Sequence, residues 1–314
     1  MQNRAGRTVA FNPSPAAAYS IPVKSTPEKR DGFYAPYIPC ICTPLYTGCL
    51  RFFMIVDLHN ISHPKVYSRI VSLVPSQTEL FYDLGLEEEV IGITKFCVHP
   101  AHWFNTKARI GGTKNINVQS IHHLKPDLII ANKEENVKQQ VEELAENYDV
   151  FVTEVHNLTD AIDMINALGL LTGKTEKATL LSNKVKVQFQ NLQDVTSLQR
   201  KIKAAYLIWK DPLMAAGSHT FINDMMLYCG LENIFSSRDR YPEISVAELR
   251  IDCELILLSS EPYPFKEKHV NELQLQIPGV KIILVDGEMF SWYGSRLLKA
   301  SCYLKELRSK LIHL

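Results

Sequence analysis

The 314-residue sequence predicts an α/β protein of two lobes, each a mainly parallel sheet covered by helices on both faces, bridged by one long α-helix. Three observations carry this expectation. Short β-branched runs alternate with helical segments from about Arg69 onward, the pattern of strands buried on both faces. Two segments recur in the same order: "LGLEEEVI" is echoed by "CGLENI", and "IHHLKPDLIIAN" by "VAELRIDCELILLSS". Between the two halves, residues 174–201 contain neither Pro nor Gly and place Leu181, Val185, Phe189, Leu192 and Val195 on one stripe. A helix of that length spans roughly 40 Å.

Taken in order, residues 1–53 read as a leader. They carry seven of the sixteen prolines, six Lys or Arg against Glu28 and Asp31, and no sustained period. Their apolar stretches are broken by Pro13, Pro15, Pro22, Pro44 and Gly48, so no recognisable signal peptide stands there. A start codon placed ahead of a true one at Met54 explains the segment as well as a disordered tail does. The N-terminal lobe is expected over 54–173. Its first strand is "RIVSLV", followed by a helix in which Ser76 and Glu79 have capping-box spacing and which ends at Gly85. "VIGIT", "DLIIAN" and "DVFVTEV" are the next strands, with helices from about Val118 to Pro126 and near 134–147. The bridging helix is expected over 174–201 and the C-terminal lobe over 202–314, with "AAYLIW" and "KIILV" as strands and a final helix.

Composition excludes several classes. The 34 basic residues balance 34 acidic ones, so no global field concentrates nucleic acid on the surface. No apolar run reaches the ~18 residues a membrane span needs, because Arg51 and Asp57 interrupt the longest early stretch. The seven cysteines contain no C-x-x-C pair, which argues against both a disulfide framework and a structural zinc site. Neither phosphate-cradling glycine signature occurs; "RIGGTKN" has two adjacent glycines but fits neither spacing.

Candidate chemistry gathers in loops that follow strands. In "KFCVHPAHW", Cys97, His99 and His102 offer a soft sulfur and two imidazoles for a metal, and Trp103 is either a ligand platform or a satellite of the core. Cys97 is equally readable as a small apolar residue under the loop, or as a reactive thiol. In the second half, "DGEMFSWYGSR" sets Phe290, Trp292 and Tyr293 beside Asp286, Glu288 and Arg296, the mixture of apolar faces and convergent polar groups that a pocket for a large organic ligand needs.

"RIVSLVPSQTELFYDLGLEEEVIGIT", "RIGGTKNINVQSIHHLKPDLIIA" and "VDGEMFSWYGSR" together resemble the iron-chelate and vitamin B12 substrate-binding proteins of ABC importers. The likeness covers about residues 54–314. It implies two Rossmann-like lobes on a helical backbone, with a metal chelate, cobalamin or a ferric siderophore or haem-like complex, held in the inter-lobe cleft and not transformed. It implies no covalently bound cofactor, a monomer, and a periplasmic or cell-envelope location; the missing signal peptide points instead to the cytoplasm. The cleft residues it implies are Ser76, Gln77, Cys97, Trp103, Gly112, Thr113, Trp209, Trp292, Tyr293 and Arg296. An ABC permease would be met by an acid on the outer helix of each lobe, and these positions hold Gln119 and Ala247, with Glu248 one residue along. Such neutral residues weaken the expectation of docking. The competing expectation is a cytoplasmic enzyme, metal-handling factor or sensor that reuses the scaffold, with Cys97 as its reactive or ligating thiol.

Overall fold

The computed structural model describes residues 65–311, so the leader over 1–53 and the stretches 54–64 and 312–314 lie outside the described residues. The N-terminal lobe comprises β1 (Ile70–Ser72), α1 (Pro75–Leu84), β2 (Val90–Ile93), α2 (Ala101–Thr106), β3 (Ala108–Arg109), α3 (Val118–Leu124), β4 (Leu128–Asn132), α4 (Lys138–Ala145), β5 (Val150–Thr153) and α5 (Leu158–Leu171). The bridging helix is α6 (Thr175–Thr196). The C-terminal lobe follows with β6 (Ile202–Trp209), β7 (Met214–Ala215), α7 (Phe221–Tyr228), β8 (Leu231–Asn233), α8 (Val246–Leu249), β9 (Leu255–Ser259), α9 (Glu267–Gln276), β10 (Lys281–Val285), α10 (Glu288–Ser291) and α11 (Leu297–Leu311).

The first sheet is wholly parallel in the order β3-β2-β1-β4-β5. In the second, β8 and β9 flank β6 in parallel and β10 lies beyond β9, while the short β7 pairs antiparallel with the end of β6. The strand sequence β8-β6-β9-β10 thus repeats β2-β1-β4-β5. Both echoes read in the sequence fall on equivalent pieces: α1–β2 against α7–β8, and α3–β4 against α8–β9.

Alternation along the strands divides the interior into three apolar clusters. Ile70, Leu128 and Ile130 point to one face of the first sheet, and Val71, Ile129 and Ala131 to the other. In the second sheet Ala204, Tyr206, Leu255 and Leu257 face one way, and Ala205, Leu207, Ile256 and Leu258 the other. The inner faces of both sheets join a single cluster through Phe81, Leu168, Val185, Phe189, Met225 and Leu304. The lobes are therefore connected by packed apolar contact rather than by a bare tether. Gly169 allows α5 and α6 to approach, since a Cβ there would lie 2.2 Å from that of Ala178.

Two local expectations are corrected. Pro75 occupies the first turn of α1 and moves its N-cap to Val74, so Ser76 lies inside the helix and forms no capping box with Glu79. Helix α6 ends at Thr196, making it roughly 33 Å long. Its buried stripe is Ala178, Ser182, Val185, Phe189, Leu192 and Thr196, alternating steps of four and three, which leaves Val195 one position off the stripe and exposed.

Candidate functional site

The carboxyl ends of the two parallel sheets carry the loops that meet between the lobes. Arg296, just before α11, reaches Glu79 of α1 with Nε–Oε2 at 2.7 Å and Nη2–Oε1 at 2.9 Å, and its third nitrogen pairs with Glu288. His99, after β2, stands 3.3 Å from Glu288 and edge-on to Trp292 at 5.5 Å. After β4, Glu134 accepts a hydrogen bond from the Tyr241 hydroxyl at 3.0 Å and pairs with Arg240 at 3.0 Å. Beyond β5, the ring of His156 meets the carbonyl of His219 at 3.0 Å, and the amide of Leu158 donates to Asp224 at 2.8 Å. Helix α1 and the loops after β2, β4 and β5 of the first lobe thus touch the second.

Several residues singled out in the sequence lie at this seam. Trp292 is 8 % exposed, donates through Nε1 to Glu261 at 2.9 Å, and carries the Arg296 guanidinium 4.7 Å above its ring. Tyr293 is buried edge-on to Phe221. Gly294, at φ 123°, brings its backbone so close to α1 that a Cβ would sit 3.2 Å from the Ser76 carbonyl. Gln77 donates to Thr153 at 2.6 Å, while its Oε1 is buried without a hydrogen-bond partner among the described residues. Thr113 is buried and its carbonyl accepts from Asn136 at 3.1 Å; Gly112 packs against Lys95 and Phe96. Trp209 ends β6, its Nε1 on the Asp211 carbonyl and its ring edge-on to Tyr263. Arg296 is fully engaged with two carboxylates, so it acts as a tie between lobes instead of a free anchor for a ligand.

Two expected cleft residues lie elsewhere. Trp103 is fully buried in the first lobe, where Nε1 donates to Glu87 at 2.7 Å and Tyr82 packs edge-on. Glu87 precedes β2, at the amino end of the sheet, so Trp103 points away from the seam. The loop was expected to be irregular there, but Ala101–Thr106 is helical and turns the indole inward. Cys97 is also fully buried, its sulfur 3.1 Å from the Thr78 hydroxyl and 3.2 Å from that of Thr94. Burial pushes its thiol up to about 11, so it is neither an activated nucleophile nor a ready metal ligand. Cys97 and His99 do not form a chelating pair, and among the described residues no group of three or more His, Cys, Asp or Glu is assembled for a metal. What the loop does present is Phe96 and Val98, both exposed on either side of Cys97.

Sequence reasoning picked out Asp286 and Glu288 but missed two further acids at the strand ends. Glu135 follows β4 and Glu261 follows β9, equivalent strands of the two lobes. Burial and then the negative charge of Glu261 raise the Glu135 carboxyl to about 8, against the opposing pull of Lys114. Glu261 is itself raised, mainly by burial, although hydrogen bonds from Ser291 and Trp292 work the other way. An open depression of ≈ 550 Å³ lies at the carboxyl end of the second sheet, lined by Ser260, Glu261, Leu284, Val285, Asp286 and Glu288. A local signal for Glu135 did exist in "NKEEN". Asn132 Oδ1 accepts from the amides of Glu134 and Glu135, and Asn136 Oδ1 from the amide of Asn132, a polar turn at a buried strand end that fixes both acids.

Residues 70–262, more than half of the chain, match the family model of periplasmic binding proteins. The chain belongs to the periplasmic binding protein family. Among curated relatives of this family member, the vitamin B12-binding protein of Pectobacterium atrosepticum is 27% identical over 247 residues, covering 74% of this chain and 85% of the relative. That of Vibrio cholerae serotype O1 is 23% identical over 211 residues, covering 67% and 76%. The crystal structure of the periplasmic vitamin B12 binding protein BtuF of Vibrio cholerae superposes with a TM-score of 0.66 at 21% identity, covering 79% of this chain and 100% of that one. The periplasmic heme-binding protein RhuT of Roseiflexus sp. RS-1 gives 0.67 at 19% identity, covering 78% and 98%. These likenesses establish the two-lobed fold.

In this periplasmic binding protein, Gln119 lies on α3 and Ala247 on α8, equivalent outer helices, and both are exposed. Glu248 does not stand in for an acid at 247. The amide and hydroxyl of Ser245, together with Arg238, hold its carboxyl at about 2 and fold it back as a capping box. Among the described residues no helix is long and apolar enough to cross a membrane.

Proposed function

We propose that the protein is an ABC-importer type substrate-binding protein that holds a metal chelate, of the cobalamin, haem or ferric-siderophore kind, between its lobes without transforming it. The observation that carries this reading is the meeting of carboxyl-end loops from both sheets around Trp292, Tyr293 and Glu135, in a chain whose curated relatives are named vitamin B12-binding proteins. The ligand needs no covalent attachment, and the chain works as a monomer in the cell envelope, the location that the names of its structural neighbours carry. An enzymatic role for Cys97 is disfavoured, because its buried thiol stays protonated.

A second reading, a chelate sensor without a permease, is favoured by one feature. The exposed outer-helix positions are the neutral Gln119 and Ala247, which offer no charge-assisted contact to a basic partner surface.

The test is a visible-spectrum titration of the purified chain with cobalamin, haem and ferric chelates. Saturable one-to-one binding of one class supports the reading, and no binding of any class overturns it. Recovery of a permease complex by pull-down from envelope extract separates the importer component from the sensor.

A further inference from the structure

Four buried side-chain oxygens have no hydrogen-bond partner among the described residues: Ser76 Oγ, Gln77 Oε1, Glu134 Oε1 and Ser295 Oγ. All four belong to segments that meet between the lobes. Three of them are not fixed in that state. A serine hydroxyl can rotate towards a neighbouring carbonyl, and Glu134 Oε1 has the Arg240 guanidinium at 3.0 Å. Gln77 is different, because its amide is held in one orientation.

The hold is built from two strand ends. Asn132 closes β4 and Thr153 closes β5. Asn132 Oδ1 accepts from the amides of Glu134 and Glu135 at 2.8 and 3.2 Å, which turns its Nδ2 to the Thr153 hydroxyl at 3.2 Å. That hydroxyl gives its single proton to the Ala131 carbonyl at 3.1 Å. Its lone pairs therefore take two donors, Asn132 Nδ2 and, at 2.6 Å, Gln77 Nε2. Turning the Gln77 amide over would set oxygen against a lone pair. Oε1 is thus kept off Thr153 as an unfilled acceptor on a side chain that is 0% exposed. The loops that leave these two strand ends are the ones the second lobe clasps, with Tyr241 on Glu134 at 3.0 Å and the His219 carbonyl 3.0 Å from the His156 ring. The fixed acceptor sits at the foot of that contact.

We propose that Gln77 sets the ligand class of the cleft by accepting a hydrogen bond from the guest, selecting chelates whose rim carries a carboxamide N–H over those whose rim carries only ester oxygens. The inference rests on the chelate-binding reading above and specifies its ligand. A buried acceptor left unfilled forfeits the hydrogen bonds that water gives it when the lobes part, and a guest N–H restores one. An ester oxygen at the same point sets acceptor against acceptor. Thr153 and Asn132 are positioning residues, because they decide which atom of the amide is left to the guest.

The experiment uses the full chain and two matched pairs of probes: the bis-N-methylamide of haem against haem dimethyl ester, and dicyanocobinamide against dicyanocobyrinic acid heptamethyl ester. Within each pair the metal ring is the same, and the first member offers N–H donors at its rim where the second has ester oxygens. The expected result is binding of the amide at least about tenfold tighter than its ester, with the ratio collapsing towards one in Gln77→Met. Should Gln77→Met fail to fold, Thr153→Val, which frees the amide to turn over, is read in its place with the same expectation. Equal or tighter binding of the esters by the parent, or a ratio unchanged in the variant, overturns the inference while leaving chelate binding intact. Failure of every probe to bind overturns the chelate reading itself, and this inference with it.

Discussion

Arg296 of the second lobe grips Glu79 of the first through two parallel contacts of 2.7 and 2.9 Å, with 5% and 7% of the side chains exposed. Lys299 adds a longer contact to the same carboxylate at 3.5 Å. Removing Arg296 leaves the buried Glu79 carboxylate with only the longer Lys299 contact. Arg296→Ala is therefore expected to cost about 3–5 kcal/mol of unfolding free energy. The double change Glu79→Met/Arg296→Met should recover most of that loss. Denaturant titration of both variants reads the result; a single variant as stable as the parent would show that the pair holds nothing.

The two buried tryptophans should behave differently. Trp103→Phe is expected to lower the melting temperature and leave chelate affinity of the folded protein unchanged, because its indole hydrogen bond goes to Glu87 inside one lobe. Trp292→Phe removes the donor to Glu261 and the larger surface beneath Arg296, and should weaken affinity by about tenfold. Thermal melts paired with equilibrium binding separate the two outcomes.

Glu135 gives the native chain a proton that the unfolded chain releases. With its carboxyl raised from the ordinary 4.5 to about 8, stability contributed by this group falls as pH climbs through that interval. Glu135→Gln carries no such penalty. The melting temperature of the variant should match the parent near pH 4, exceed it increasingly up to about pH 8, and hold a constant advantage above that. A parallel pair of curves across the range would refute a raised carboxyl.

Thiol chemistry offers a fourth check, on the burial of Cys97. Cys97, Cys229 and Cys253 are buried, and burial raises their thiols to about 11, 12 and 11, whereas Cys302 is exposed. Iodoacetamide at pH 7.5 should alkylate the Cys302 peptide within minutes and leave the other three unmodified until the chain is denatured. Peptide mass mapping reads each site separately, and early labelling of Cys97 would revive it as a reactive group.

Much of the scaffold was legible because its signals are local. Gly85 ends α1, Pro126 follows α3 by two residues, and the echo of "CGLENI" on "LGLEEEVI" marks two copies of one helix–strand unit. The site was harder to read. Glu79 has the spacing of a capping box, yet its carboxylate is taken by Arg296, 217 residues away, a partner no local pattern discloses. Trp103 reads from the sequence as either a ligand platform or a satellite of the core, and the short helix α2 turns it inward. Glu135 and Glu261 look like ordinary loop acids until the fold sets both at the carboxyl ends of equivalent strands, β4 and β9.

The apolar cluster that runs from Phe81 through Phe189 to Leu304 belongs to neither lobe alone. Severing the chain near residue 201 would strip both fragments of half their shared interior, so neither is a portable module. Heat should dissolve the pair in one cooperative step, and any rearrangement that lets a guest in must come from the surface loops flexing, with the interior keeping its form.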